Sequence, residues 1–251
     1  MNESSDREAL ATGVVGAILG GLTGSVWGSP RLGALAGGVH GWLAGRRRIY
    51  DWRRRLGVVA FLLDHTWALP STMAAATSMM FSNARSRISG HDAGFDESLS
   101  ARRNRFVFRR GFVLRRGFAL TVGSVVTGAA DDRGEITERR RRLVDRHENV
   151  HVWQSRVLGP LYPLLYGSWF AVGAVVAAAR HLLRRPSGSL IADVDSLAYY
   201  RNPFEWHAYT CDDNWPPAGV DPGSVWKHRF PMSDRMRDAV RGFAGNPTTP
   251  R

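Results

Sequence analysis

Two histidines four residues apart, with a glutamate beside the first, are the residues best suited to chemistry: His147-Glu148-Asn149-Val150-His151. On a helix, positions i and i+4 share a face, so both imidazoles can reach one metal ion while Glu148 flanks it. Neutral imidazole is a good zinc ligand, and a site with three protein ligands keeps a fourth position for water. The ion lowers the pKa of that water toward neutrality, and a nearby carboxylate can take its proton as it attacks a carbonyl. The spacing thus fits a Zn2+ site reached by His147 and His151 with Glu148 beside it. So short a pattern also arises by chance, and the surrounding elements must carry the rest.

From about Glu135 the apolar pattern turns helical, with Leu143, His147, Val150, His151, Gln154 and Leu158 on neighbouring faces. Asp131-Asp132-Arg133-Gly134 reads as a turn before this helix, and Gly159-Pro160 ends it. Residues 161–179 carry no charge and are followed by His181, Arg184 and Arg185. That length can cross a membrane, while Pro163 and Gly167 would also permit a buried hairpin. Residues 199–209 read as a polar helix with an aromatic face, and beyond Asp212 a Pro-, Gly- and Trp-rich tail is expected to be irregular.

Upstream, residues 106–123 form three tandem hexads, FVFRRG, FVLRRG and FALTVG. The even period places Phe106, Phe108, Phe112, Leu114, Phe118 and Leu120 on one face of extended chain, with Gly111, Gly117 and Gly123 at turns or bulges. A short β-meander or bent hairpin ending near Val126 is expected. Residues 11–45 hold two glycine ladders, Gly16, Gly20, Gly24, Gly28 and then Gly33, Gly37, Gly41, Gly45, broken at Ser29-Pro30-Arg31. So many glycines make a poor helix in water. In a bilayer the helical bonds form anyway, and a glycine stripe lets two backbones approach closely, so a membrane hairpin is expected. Arg46-Arg47-Arg48 and Arg53-Arg54-Arg55 follow it directly, which points to the cytoplasmic side of the plasma (inner) membrane. Residues 56–69 read as an interfacial or buried helix interrupted by Asp64 and His65.

The formal charge of +12 calls for a polyanionic partner, nucleic acid or an anionic lipid surface. The lipid surface is the better fit, because the arginines abut apolar segments, only Lys227 among 34 basic residues is lysine, and no nucleic-acid fold motif is present. A single cysteine, Cys211, excludes an internal disulfide and a cysteine-based zinc site. The polar, mildly acidic first ten residues do not resemble a signal peptide. His40, His65, His91 and His228 stand isolated and read as ordinary polar residues. The expected fold class is α+β: residues 1–69 a glycine-zipper hairpin and membrane-associated segment, 70–130 β-rich, 131–215 a helical zinc-site core, and 216–251 an irregular tail.

The helix continues as HENVHVWQSRVLGPLYPLLYGSWF over residues 147–170. This resembles a group of bacterial membrane-associated proteins with the signature HExxHxxQS followed by GPLY and an apolar helix, similar to gluzincin-type metallopeptidases. The resemblance covers about residues 118–210. It implies a peptide or protein substrate, ligands His147 and His151, the base Glu148, and a glutamate on a later helix completing the metal site. Glu205, the one glutamate downstream of the motif, is the best third ligand, with Asp193, Asp195 and His207 as rivals. Gln154 is expected beside a ligand or substrate, and Tyr209 or His207 at an oxyanion. A single crossing by residues 161–179 would separate His151 from Glu205, so a fold-back near Pro160, Pro163 and Gly167 and a site at the cytoplasmic membrane surface are expected. The alternative is a non-enzymatic membrane protein that self-associates through its glycine ladders, with a structural or vestigial metal site.

Overall fold

The structure, a computed structural model, describes residues 3–89, 93–115, 117–184 and 189–242. It is mostly helical with one small sheet, in keeping with an α+β chain, and divides into one unit up to Pro160 and another over Leu161–Arg241.

The first unit opens with helices α1 (Glu3–Val26) and α2 (Pro30–Arg46), and Gly28 at φ 71° supplies the left-handed residue of the turn between them. The glycine ladders face each other within this hairpin. A Cβ on Gly16 would lie 2.5 Å from the Gly37 carbonyl oxygen, and one on Gly20 would run into that of Gly33. Close backbone approach also lets Thr12 donate its hydroxyl to the Gly41 carbonyl at 2.7 Å. The ladders are thus taken up inside one chain, and Leu10, Ile18, Leu22 and Leu35 stay exposed on the outer face. α1 is long and apolar enough to cross a membrane.

Helices α3 (Arg55–His65) and α4 (Leu69–Ser89) follow, so the front of the segment expected to be β-rich is helical. After the short α5 (Glu97–Ser100) come strands β1 (Phe106–Val107), β2 (Leu120–Val122) and β3 (Val125–Thr127). Their order is β1-β3-β2, with β1 parallel to β3 and β2 antiparallel to it, so only β2–β3 is a hairpin and the sheet is not a meander. Gly111 and Gly117, at φ 124° and 83°, turn the chain out of extended conformation. Phe112 and Leu114 are consequently 41% and 79% exposed, while Phe106 and Phe108 are buried. Phe106 and Val125 pack with Ile49, Tyr50, Phe61 and Trp153, whereas their neighbours Val107 and Val126 pack with Leu99, Val144 and Val152. Alternation along the strands thus buries both faces of β1 and β3.

Helix α6 (Glu138–Arg142), capped by Thr137, runs into a π-helical turn at Leu143–Glu148 and then α7 (Asn149–Leu158). Gly159 ends α7 at φ 53°, pressed against Trp67, whose indole donates to the Val157 carbonyl at 3.0 Å.

The second unit begins with α8 (Leu161–Arg184), the other helix long and apolar enough to cross a membrane. It is continuous, so the fold-back expected within residues 161–179 does not occur. Pro163 sits in the first turn, where its missing N–H has no helical partner to lose, and Gly167 is compatible with a straight helix. The chain returns instead as α9 (Leu190–Val194) and a π-helical turn at Asp195–Tyr200, laid antiparallel along α8. There a Cβ on Gly173 would be 2.7 Å from Ala198 Cα, and Trp169 donates to the Leu197 carbonyl at 3.2 Å. Next comes α10 (Pro203–Cys211). The segment expected to be irregular contains a 3-10 turn at Pro222–Ser224 and helix α11 (Asp234–Gly242). It docks by hydrogen bonds from Trp226 to the Arg201 carbonyl and from Trp206 to the His228 carbonyl, at 2.9 and 2.8 Å. Residues 243–251, His91 and Arg185 lie outside the described residues.

Candidate metal centre

The histidine-bearing helix is held by two fully buried arginines. Arg105 donates to the Asn149 side chain at 2.9 Å, to the Leu99 carbonyl at 3.2 Å, and to Asp145. Burial lowers the Arg105 pKa to about 10 despite the Asp145 carboxylate, so the guanidinium stays charged near neutrality. Arg156, on the last turns of α7, makes a two-pronged pair with Asp64 of α3 at 2.9 and 2.8 Å and also donates to the Asn104 carbonyl at 2.5 Å. Tyr50 donates to the same Asp64 carboxylate at 2.7 Å. Burial alone would raise the Asp64 pKa, but the Arg156 charge and these hydrogen bonds hold it below the ordinary carboxylate value.

Between these two clamps, His147 and His151 are 3% and 5% exposed, and their Nε2 atoms stand 3.2 Å apart. Two ligands bound tetrahedrally to one zinc at about 2.0–2.1 Å are about 3.3 Å apart, so the pair is spaced for a shared ion. The π-helical turn carries His147 and Glu148, and the Asn149 amide reaches back to the Val144 carbonyl, one residue further than in an α-helix. His151 Nδ1 lies 2.8 Å from Gln154 Oε1. An amide oxygen only accepts, so Nδ1 carries the proton and Nε2 presents its lone pair. Glu148 is buried, and Thr121 on β2 donates to its Oε2 at 2.6 Å, which orients the carboxylate without supplying a counter-charge.

In the second unit, Asn202 caps α10 by accepting from the Phe204 amide at 3.0 Å, and Pro203 fills the first helical position. Glu205 stands where a capping box would turn it back to the Asn202 amide, but that amide donates to the Tyr199 carbonyl at 2.9 Å. The Glu205 carboxylate accepts from the Tyr166 hydroxyl of α8 at 2.8 Å. Tyr199, whose hydroxyl lies 3.4 Å from that of Tyr209, has its pKa pushed well up by burial and by the Glu205 charge, so it remains a neutral phenol.

His147, His151 and Glu205 form a buried cluster that could hold a metal ion, each offering one ligand atom within 4.8 Å of the others. The donor set, two imidazoles and a carboxylate, suits a borderline cation. The rival ligands lie outside that cluster: Asp193 pairs with His181 at 2.8 Å, Asp195 belongs to the π-helical turn, and the His207 ring packs 5.0 Å from Phe230. Sequence reasoning did not find Thr121 or Tyr166, since no local spacing ties them to Glu148 or Glu205. Nor are His40 and His65 isolated. His65 Nδ1 donates to the Phe61 carbonyl at 2.7 Å, so its Nε2 accepts from His40 Nδ1 at 3.3 Å, and His40 Nε2 accepts from Ser124 at 3.0 Å. Comparison with protein-family models, with curated proteins and with solved structures finds no match.

Proposed function

We propose that this chain is a membrane-associated, zinc-dependent metallopeptidase that hydrolyses peptide bonds. The observation that carries the reading is the cluster of His147, His151 and Glu205, with its Nε2–Nε2 spacing of 3.2 Å, next in sequence to the buried Glu148. Zinc, when bound, supplies Lewis-acid activation of water and polarisation of a carbonyl. The protein's own side chains do the rest. Gln154 holds the His151 tautomer, Tyr166 orients Glu205, and Glu148, an acceptor at its Thr121 bond, is ready to take a proton and pass it to the leaving amine. The cationic runs Arg46-Arg47-Arg48 and Arg53-Arg54-Arg55 support a cytoplasmic face of the plasma membrane.

A second reading, a structural metal site in a non-enzymatic membrane protein, draws on one observation: both imidazoles, Glu205 and Glu148 are all buried. Metal analysis and peptide hydrolysis on the purified protein separate the two. The expected result is one zinc per chain, with Glu148→Gln keeping the metal while hydrolysis falls by about 10²–10⁴-fold. Metal-free protein, or hydrolysis indifferent to Glu148→Gln, rejects the peptidase. Stoichiometric zinc without hydrolysis establishes the structural reading.

A further inference from the structure

Most of the apolar surface of α8 is exposed. Leu164, Val172, Val175, Leu182 and Leu183 are 64%, 63%, 69%, 75% and 85% exposed. From Leu161 to Leu183 this stripe runs about 33 Å at the helical rise. Part of its remaining surface is packed against the return segment 189–200, which brings ionisable residues with it. His181 pairs with Asp193 at 2.8 Å, and Asp195 follows in the π-helical turn packed along the helix. Behind that turn, Arg201 donates to the Gly223 carbonyl and Ser196 to the Ser224 carbonyl, each at 2.8 Å.

Length and composition alone would let α8 cross a bilayer. A crossing helix, however, carries into hydrocarbon whatever is packed on it, and ionisable groups there are expensive. Here that cargo would be Asp193, Asp195, Arg201 and the turn at Asp221. We infer that α8 lies in the plane of the membrane surface, its exposed apolar side immersed among acyl chains and the side packed on Asp193, Asp195 and Arg201 turned to the headgroups and water. This goes beyond the peptidase reading and does not depend on it. Lipid fits better than a second protein because the stripe is long, without an acidic residue, and flanked by Arg180 at its C-terminal end in a chain of net charge +12. Trp169 lies partly exposed on the same helix with its indole N–H held by the Leu197 carbonyl, an amphipathic ring suited to the interface. Both ends of α8 then remain on one side of the bilayer, and a continuous apolar helix between His151 and Glu205 poses no topological conflict.

The test uses the full chain with Cys211→Ser, spin-labelled at Leu165→Cys, Val175→Cys or Leu183→Cys, three exposed positions, on phosphatidylcholine–phosphatidylglycerol vesicles. Oxygen and nickel-chelate accessibilities report depth. The expected result is one shallow depth for all three labels, about 5–10 Å into the headgroup–acyl boundary. A Val175 label about 15 Å deep, near the midplane, with the other two shallower, means a crossing and overturns the inference. Labels that stay water-accessible, or couple to one another as a second copy binds, overturn it too. In the unsubstituted protein, an acyl-chain carbene probe should mark the outer residues of 164–183 and leave 193–201 unmarked; marking of both rejects the in-plane placement.

Discussion

Gln154 fixes which nitrogen of His151 would face a metal held by the cluster. Its Oε1 accepts from Nδ1 at 2.8 Å, and that single bond leaves the Nε2 lone pair pointing toward His147 Nε2. Without it the imidazole can adopt the other tautomer or rotate, and each alternative must be reversed when the ion binds. Gln154→Leu is therefore expected to weaken zinc binding about 10–100-fold in a chelator competition, while Gln154→Glu, which keeps the acceptor, retains most of the affinity. Affinity unchanged in Gln154→Leu would show that neighbouring packing alone fixes the ring. Gln154 was visible as a candidate because it lies two turns from His147 on nearly the same helix face. Tyr166 was not, because it lies 39 residues from Glu205 in a segment whose apolarity masks it.

At the scale of elements, two packings set the histidine helix and the hairpin in place. In the hairpin, neighbouring glycines have different tolerances. A side chain at Gly20 collides with the backbone of Gly33, whereas a Cβ at Gly21 would sit 3.4 Å from Ala34 Cβ, in ordinary contact. Gly20→Ala should cost about 1–3 kcal/mol in thermal or denaturant unfolding through overpacking. Gly21→Ala should be neutral or stabilising by up to about 1 kcal/mol through helix propensity. Because the ladders meet within one chain, the Gly20 effect should not vary with protein concentration; a strong concentration dependence would return the ladders to an intermolecular role. The second packing is the Asp64–Arg156 pair, buried on both sides. Asp64→Asn leaves a buried guanidinium without its counter-charge and should destabilise by about 3–5 kcal/mol, whereas an apolar replacement of both partners recovers much of that loss. Asp64 is depressed in the folded state, so its contribution is complete above the unfolded carboxylate pKa of about 3.9 and disappears as pH falls through the lower folded value. Acid titrations of stability should accordingly show a steeper loss below about pH 4 in the parent than in Asp64→Asn.

Over the whole molecule, charge and apolar surface act together. On the proposed membrane-associated reading, the net charge of +12 would draw the chain to an anionic surface, and the exposed apolar side chains of the N-terminal hairpin and of α8 would supply area to bury there. The two contributions respond differently to salt. Raising ionic strength from about 0.05 to 0.5 M shortens the screening length severalfold, so co-sedimentation with phosphatidylglycerol-containing vesicles should weaken by an order of magnitude or more. Residual binding, and all binding to neutral vesicles, should be indifferent to salt because it rests on burial of apolar surface. Loss of binding to both vesicle types at high salt would reduce the interaction to electrostatics and argue against insertion.

The amino-acid order by itself determined what a period can encode: the i, i+4 histidines, the four-residue glycine ladders, and an uncharged stretch long enough to form α8. Each follows from local helix geometry, which repeats every few residues whatever surrounds it. Only the tertiary structure decided which faces meet. It turned the glycines on each other, set β1 parallel to β3, paired Asp64 with an arginine 92 residues away, and laid a return segment carrying Asp193 and Asp195 along α8. Such choices depend on shape and charge matching between surfaces distant in the chain, where burial penalises any polar group left without a partner. No local spacing records that penalty.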